Sequence, residues 1–246
     1  MRSLSYDFHI HSCLSPCGDN DMTPCNIAGM AYIKKLGAFA LTDHNSCRNC
    51  VATKKVADNY GIIFIPGMEL TTSEEIHVLC YFSTIKQALC WDKFVYSRLL
   101  KIDNNPDVFG DQLILDENDN ITGNENKLLI NAVAISFDEV FSLVKSYGGV
   151  AVPAHIDKSS NSLISQLGFV PEDSTFSSFE VKNIDNYKEL CKSNPYLENC
   201  HVLTSSDAHY LQDINEPVNF MHAKEFDVMS ILNYINHKKP CAKNLA

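Results

Sequence analysis

Residues 62–82, IIFIPGMELTTSEEIHVLCYF, decide the fold. The two apolar runs within it, IIFIPGMEL (62–70) and IHVLCYF (76–82), are continuous instead of alternating, as expected for strands buried on both faces. Only residues 70–76 separate Glu69 from His77, too few for the crossover of about a dozen residues that a parallel pair needs, so the two strands should form an antiparallel hairpin. The start of the second strand then lies beside the end of the first. His77 joins Glu69 at one rim.

Outward from this hairpin, further β-like runs punctuate the chain: YDFHIH (6–11), AFALTD (38–43), GVAVPAH (149–155), SSFEV (177–181) and HVLTSSD (201–207). Helical segments lie between many of them. Thr23 and Pro24 read as the N-cap and first residue of a helix through about Leu36, ended by Gly37. Ser136-Phe137-Asp138-Glu139 is a capping box opening a helix through Tyr147, closed by Gly148 and Gly149. Strands alternating with helices imply an α/β fold, a β/α barrel or a related parallel sheet, and one domain spanning 1–246. The stretch from about Leu100 to Ala134 breaks the rhythm. Its segment QLILDENDNITG (112–123) reads as a hairpin with an Asp- and Asn-rich turn, an insertion lying over one end of the barrel.

Composition narrows the function classes. A net charge of −10 with only three arginines, Arg2, Arg48 and Arg98, argues against holding long nucleic acid on a basic surface, and a small substrate fits better. No stretch approaches the ~20 apolar residues needed to cross a bilayer. MRSLSYDFHIHS lacks the apolar run of a secretory signal, so a cytoplasmic location is expected, and with it reduced thiols for the ten cysteines.

Metal-ligand residue types gather at strand ends. His9 and His11, two apart on a strand, point to the same side. Asp43 and His44 follow a buried strand, where β/α barrels place their chemistry. Glu69 and His77 share the hairpin rim, His155 finishes another apolar strand, and Asp207 and His209 finish the last. Of nine histidines, six occupy this relative position, whereas His201, His222 and His237 do not. The loop SCLSPCGDNDMTP (12–24) offers Asp19 or Asp21 as a ninth ligand, one of them serving instead as first-turn charge for the following helix. Mixed imidazole and carboxylate ligands suit zinc, manganese or iron, not calcium.

Taken in order, D-F-H-I-H-S (7–12), L-T-D-H-N (41–45), P-G-M-E (66–69), H-V-L (77–79), P-A-H (153–155) and S-D-A-H (206–209) resemble the motifs of the polymerase and histidinol phosphatase (PHP) family over nearly the whole chain. The resemblance implies a distorted seven-stranded β/α barrel holding three divalent metal ions. His9, His11, Asp207 and a bridging Glu69 would hold one; Glu69, His77 and His155 a second; His44, His209 and a loop ligand the third. In relatives that ligand is often an aspartate five residues after the second histidine, a position occupied here by Pro16. Counting back from Pro24 selects Asp19, with Asp21 as its competitor.

The implied activity is hydrolysis of a small phosphate ester, such as histidinol phosphate or a nucleotide, with Asp43, His44 and Glu69 as candidate catalytic residues. Asp43 reads chiefly as a hydrogen-bond acceptor that orients ligands. Lys158 and Arg48 are candidate phosphate contacts. The alternatives are a nuclease-like phosphodiesterase on short oligonucleotides, a metal-dependent amidohydrolase, and a non-enzymatic module like those within DNA polymerases. Cys13, Cys17 and Cys25 follow the first motif and Cys47 and Cys50 the second; without zinc-ribbon spacing they read as packing residues or reduced thiols, a further zinc being the alternative.

Overall fold

A computed structural model describes residues 2–239. The chain opens with β1 (Arg2–Ile10), α1 (Pro24–Ile33), β2 (Ala38–Leu41), α2 (Cys50–Tyr60) and β3 (Ile63–Thr71), then turns back through β4 (His77–Phe82). After α3 (Ile85–Arg98) come the short α4 (Pro106–Phe109), β5 (Leu113–Leu115) and β6 (Ile121–Asn124), followed by α5 (Phe137–Ser146) and β7 (Gly149–Pro153). The last part holds α6 (Leu163–Leu167), β8 (Ser178–Glu180), α7 (Tyr187–Ser193), β9 (His201–Leu203), β10 (Phe220–Ala223) and α8 (Val228–Asn236).

Six strands form one curled sheet in the order β10-β1-β2-β3-β4-β7. β1, β2 and β3 run parallel, and β4 is antiparallel to both β3 and β7, with Thr71 facing His77 across the hairpin. β7 therefore runs in the same direction as β3, and the C-terminal ends of β1, β2, β3 and β7 share a rim with the N-terminal end of β4. The wall continues as a separate parallel pair, β8 with β9, and a single bridge from Ile10 to Ala208 links the segment after β9 to β1. The result is a half-barrel completed by a two-stranded piece, a distorted α/β barrel.

Side-chain parity explains both the core and the rim. Ile65 on β3 and Leu79 and Tyr81 on β4 lie in the inner cluster with Tyr6, Phe8 and Val152. Counting by twos from Ile65 reaches Glu69, and counting back from Leu79 reaches His77, so both end on the inner face. On β1 the register shifts between Asp7 and Ile10, so Phe8 points inward while Ile10 packs with the helices outside. That irregularity re-aims His9 and His11 toward the rim. At the opposite end α8 contributes Ile231, Leu232 and Ile235 to the inner cluster.

Local signals were read with varying precision. Thr23 caps α1 through Asn26 N–H, and the Ser136–Glu139 capping box opens α5. α1 stops at Ile33, short of Leu36, because Lys35 takes a left-handed φ of 57° and breaks the helical path before Gly37 is reached. The insertion is a hairpin of β5 and β6, and its turn is held by Asp116, whose Oδ1 accepts from the N–H groups of Asn118 and Asn120, both at 2.9 Å. It is pinned across the rim. Asn45 Nδ2 donates to the carbonyls of Leu129 and Asn131, Asn49 Nδ2 to that of Leu113, and Val133 N to that of Thr71. Among the described residues no helix is long and apolar enough to cross a membrane.

Candidate metal centre

Glu69 sits at the middle of the rim, buried, with five imidazoles around one carboxylate. Its Oε1 lies 3.3 Å from His9 Nε2, 2.9 Å from His77 Nδ1 and 3.0 Å from His155 Nε2. Its Oε2 lies 3.3 Å from His11 Nε2 and 3.1 Å from His44 Nδ1. The bridge pairing His44 with Glu69 extends β2 past its end and fixes this last contact. Asp207 closes the other side: Oδ1 is 3.4 Å from His9 Nε2 and 3.5 Å from His11 Nε2, and Oδ2 accepts from Lys158 Nζ at 2.9 Å.

Three sets of ligand atoms could each hold an ion: His9, His11, Glu69 and Asp207; His44, Glu69 and His77; His11, His44 and His209. The donor set fits a borderline divalent metal, being imidazole nitrogen and carboxylate oxygen throughout. A second observation supports the fit. His44 Nδ1 and His77 Nδ1 are buried and near Glu69, yet neither has a hydrogen-bond partner. Buried nitrogens with no partner are costly, and converging lone pairs on a cation would satisfy them.

The residues behind the ligands fix their orientation. His9 Nδ1 hydrogen-bonds Glu180 Oε2 at 2.9 Å, and the same oxygen accepts from His155 N at 3.1 Å. His11 Nδ1 meets Ser15 Oγ at 3.0 Å, and Ser15 in turn donates to Asp43 Oδ1 at 2.8 Å. Asp43 also accepts from Ser12 N and Ser12 Oγ, both at 2.6 Å. These partners select the tautomer that carries its proton on Nδ1, leaving Nε2 free to face the cluster. The backbone at His155 is strained, with φ of 28° outside the left-handed region proper, a conformation that its surroundings must hold.

Electrostatics follow from crowding in a buried site. Burial opposes the Glu69 carboxylate, but His77, His9 and His44 together outweigh it and hold its pKa well below the usual range. Burial pushes His44 and His155 down, and His209 down to about 4, leaving them neutral as ligands must be. For His9 burial again opposes the charge, but Glu180, Glu69 and Asp207 override it and raise the pKa. His11 rises against burial through Asp207 and Glu69. A metal entering the first set must therefore displace protons.

Of the sequence-derived candidates, His9, His11, His44, Glu69, His77, His155, Asp207, His209 and Lys158 come together. The grouping differs from the implied one in that His44 joins Glu69 and His77, and His11 joins His44 and His209. Asp19 is not gathered with them: its N–H reaches the carbonyl of His209 at 2.9 Å, but its Oδ1 accepts from Asp21 N at 2.8 Å in a local turn. Asp21 is exposed. Arg48 is not at the cluster either. Its guanidinium pairs with Glu125, approaches Asp92 at 3.7 Å and stacks on Tyr96, tying the insertion to the barrel. No cysteine enters the three ligand sets found among the described residues, and Cys13, Cys47 and Cys50 are buried packing residues.

Sequence reading missed Glu180, Ser12 and Ser15. The signal for Glu180 was present: a carboxylate between Phe179 and Val181 in a buried strand needs a partner. We expect Glu180→Gln to lower metal affinity by about 10–100-fold, as loss of an orienting partner does. Chelator competition measures this, and unchanged affinity would refute the orienting role.

No family model matches the chain. An uncharacterized protein of Methanocaldococcus jannaschii is 36% identical over 79 residues, 29% of this chain and 46% of that protein, so the match spans about half the relative's length. Among solved structures, a lesion-specific endonuclease from Pyrococcus furiosus superposes with a TM-score of 0.71 at 18% identity, over 96% of this chain and 56% of that one. A structure assigned as a metal-dependent phosphoesterase from Bifidobacterium adolescentis gives 0.58 at 15% identity, over 92% and 94% of the two chains. An amidohydrolase from Chromobacterium violaceum with bound sulfate gives 0.58 at 16% identity, over 98% and 100%. At these identities the likeness establishes a shared fold.

Proposed function

We propose that this chain is a PHP-type metal-dependent hydrolase that cleaves a small phosphate ester, most simply a phosphomonoester such as histidinol phosphate or a nucleotide. The observation that carries the reading is Glu69 among five imidazoles, with Asp207 closing the cluster. The ordered motifs and the fold shared with phosphoester-cleaving and amide-cleaving proteins agree with it. Three divalent ions, zinc, manganese or iron, are the expected cofactors. His9, His11, Glu69 and Asp207 would hold one, Glu69, His77 and His155 a second, and His44 and His209 with a rearranged Asp19 the third. Bound there, such ions would lower the pKa of a water toward about 7 and neutralise phosphoryl oxygens.

The chain's own groups complete the chemistry. Lys158, on Asp207 at the edge of the cluster, can hold a phosphoryl oxygen by its charge. Burial works against that charge, but Asp207 overrides it and keeps the amine protonated. His44, neutral at the rim, would serve by holding its ion and not by moving a proton, because a ring that ligates through one nitrogen keeps its proton on the other. Asp43 acts through Ser15 on His11 and so positions a ligand without touching substrate.

The main second reading is a nuclease-like phosphodiesterase, favoured by the 0.71 likeness to an endonuclease. This chain spans 56% of that protein and carries a net charge of −10, so we place short strands, not long duplexes, within its reach. An amidohydrolase activity is the other. One experiment separates them: metal-loaded protein is offered phosphomonoesters, short oligonucleotides and N-acyl substrates. We expect phosphate release from monoesters to dominate; oligonucleotide cleavage or amide turnover without phosphate release would replace this reading.

A further inference from the structure

A cavity of about 640 Å³ opens beside the cluster, between the loop after β7, α6 and α7. It lies within the range of about 300–1,000 Å³ typical of small-molecule sites. Its nearest wall begins at Ile156, directly after His155, and Lys158 both lines it and reaches Asp207. Access points the same way. The insertion is pinned to the loops after β1, β2 and β3, whereas side-chain exposure rises from 0% at His9 to 14% at His77, 23% at His209 and 36% at Lys158.

We propose that this cavity receives the alcohol portion of the substrate, and that this alcohol is uncharged and partly apolar, as a nucleoside is and as histidinol, with its ammonium group, is not. The inference rests on the phosphoesterase reading and specifies the leaving group. Ile156, Ile164 and Leu190 supply apolar lining. The carboxylates nearby are already committed. Asp157 Oδ1 accepts from Lys182 N at 2.6 Å, and its Oδ2 accepts from Asn183 N and Asn186 Nδ2 at 3.0 and 2.9 Å. Glu189, 77% exposed, meets Lys192 at 3.2 Å in solvent and is too screened to hold a buried charge. A cationic alcohol would be desolvated against Ile156, Ile164 and Leu190 without a free carboxylate, and an anionic one would compete with the phosphoryl group for Lys158, whereas an aryl or sugar-like group would bury apolar surface. Hydrolysis forms a bond from a water oxygen to phosphorus and breaks the bond to the ester oxygen. The alcohol leaves with a proton from that water, into the cavity.

The test compares naphthyl phosphate with methyl phosphate on metal-loaded wild type, Ile164→Trp, which projects an indole into the cavity, and Ser193→Trp, which narrows it from an exposed position. We expect the ratio of kcat/KM for the large ester over the small one to fall at least about tenfold in each variant, the scale at which pocket shape discriminates. If Ile164→Trp does not fold, Ser193→Trp decides alone. Turnover of both esters with an unchanged ratio, including equal losses on both, overturns the cavity assignment and leaves the phosphoesterase reading intact. Equilibrium dialysis of naphthol separates the opposite case. Binding to wild type that Ile164→Trp abolishes supports the cavity even if neither ester is cleaved, and no binding to wild type counts against it.

Discussion

Glu69→Gln is expected to cost more metal binding and more activity than any other single change. The substitution keeps the side chain's size, so packing survives, but it removes the negative charge around which five imidazoles are arranged. Two of the three ligand sets share this carboxylate. Loss of an orienting partner costs about 10–100-fold in affinity or activity. Loss of a ligand common to two sets should exceed the upper end of that range, with kcat/KM falling by more than about 100-fold. Elemental analysis of the purified variant should show fewer bound ions than wild type. The far-ultraviolet dichroism should be unchanged, because Glu69 is at the end of a strand whose ladder to β4 is made by the backbone. Wild-type metal content in Glu69→Gln would show that the ions, if bound, lie elsewhere.

The second large effect is on stability. The metal-free cluster buries Glu69, half-buries Asp207 and gathers a group of histidines at one end of the barrel, and only some of these can satisfy one another. An ion that binds the folded chain alone, at a concentration about 100 times its Kd, adds about 2.7 kcal/mol. For a chain of this length that is roughly 5–11 °C in Tm per site, at about 2–4 °C per kcal/mol. Stripping metal with a chelator should therefore lower Tm by at least this amount, and adding back zinc or manganese should restore it. An identical Tm with and without metal would mean that no ion is held by the folded state.

Much of this was legible in the sequence because it depends on local rules. A connection too short for a crossover made β3 and β4 a hairpin, and counting by twos then put Glu69 and His77 on one face. Histidines at strand ends located the rim. What stayed hidden depends on partners far apart in the chain. Arg48 reads as a phosphate contact until Glu125, 77 residues away in the insertion, is seen to hold it. Glu180 and His9 are 171 residues apart, and nothing between them announces the hydrogen bond. The third ligand set illustrates the same limit: Asp19 has the right chemistry and loop, but its side chain is used by its own turn. β10 was also unread, a short strand of mixed character that finds its place only by pairing with the start of β1.

Glu69 and its neighbours are proposed to bind the metal on which phosphate-ester hydrolysis depends. This is tested most directly by following phosphate release and bound metal together as chelated protein is titrated with zinc or manganese. We predict no release from the chelated protein, activity that rises with the equivalents bound, and neither full metal content nor activity in Glu69→Gln. Undiminished hydrolysis by chelated protein, or by Glu69→Gln, would contradict it.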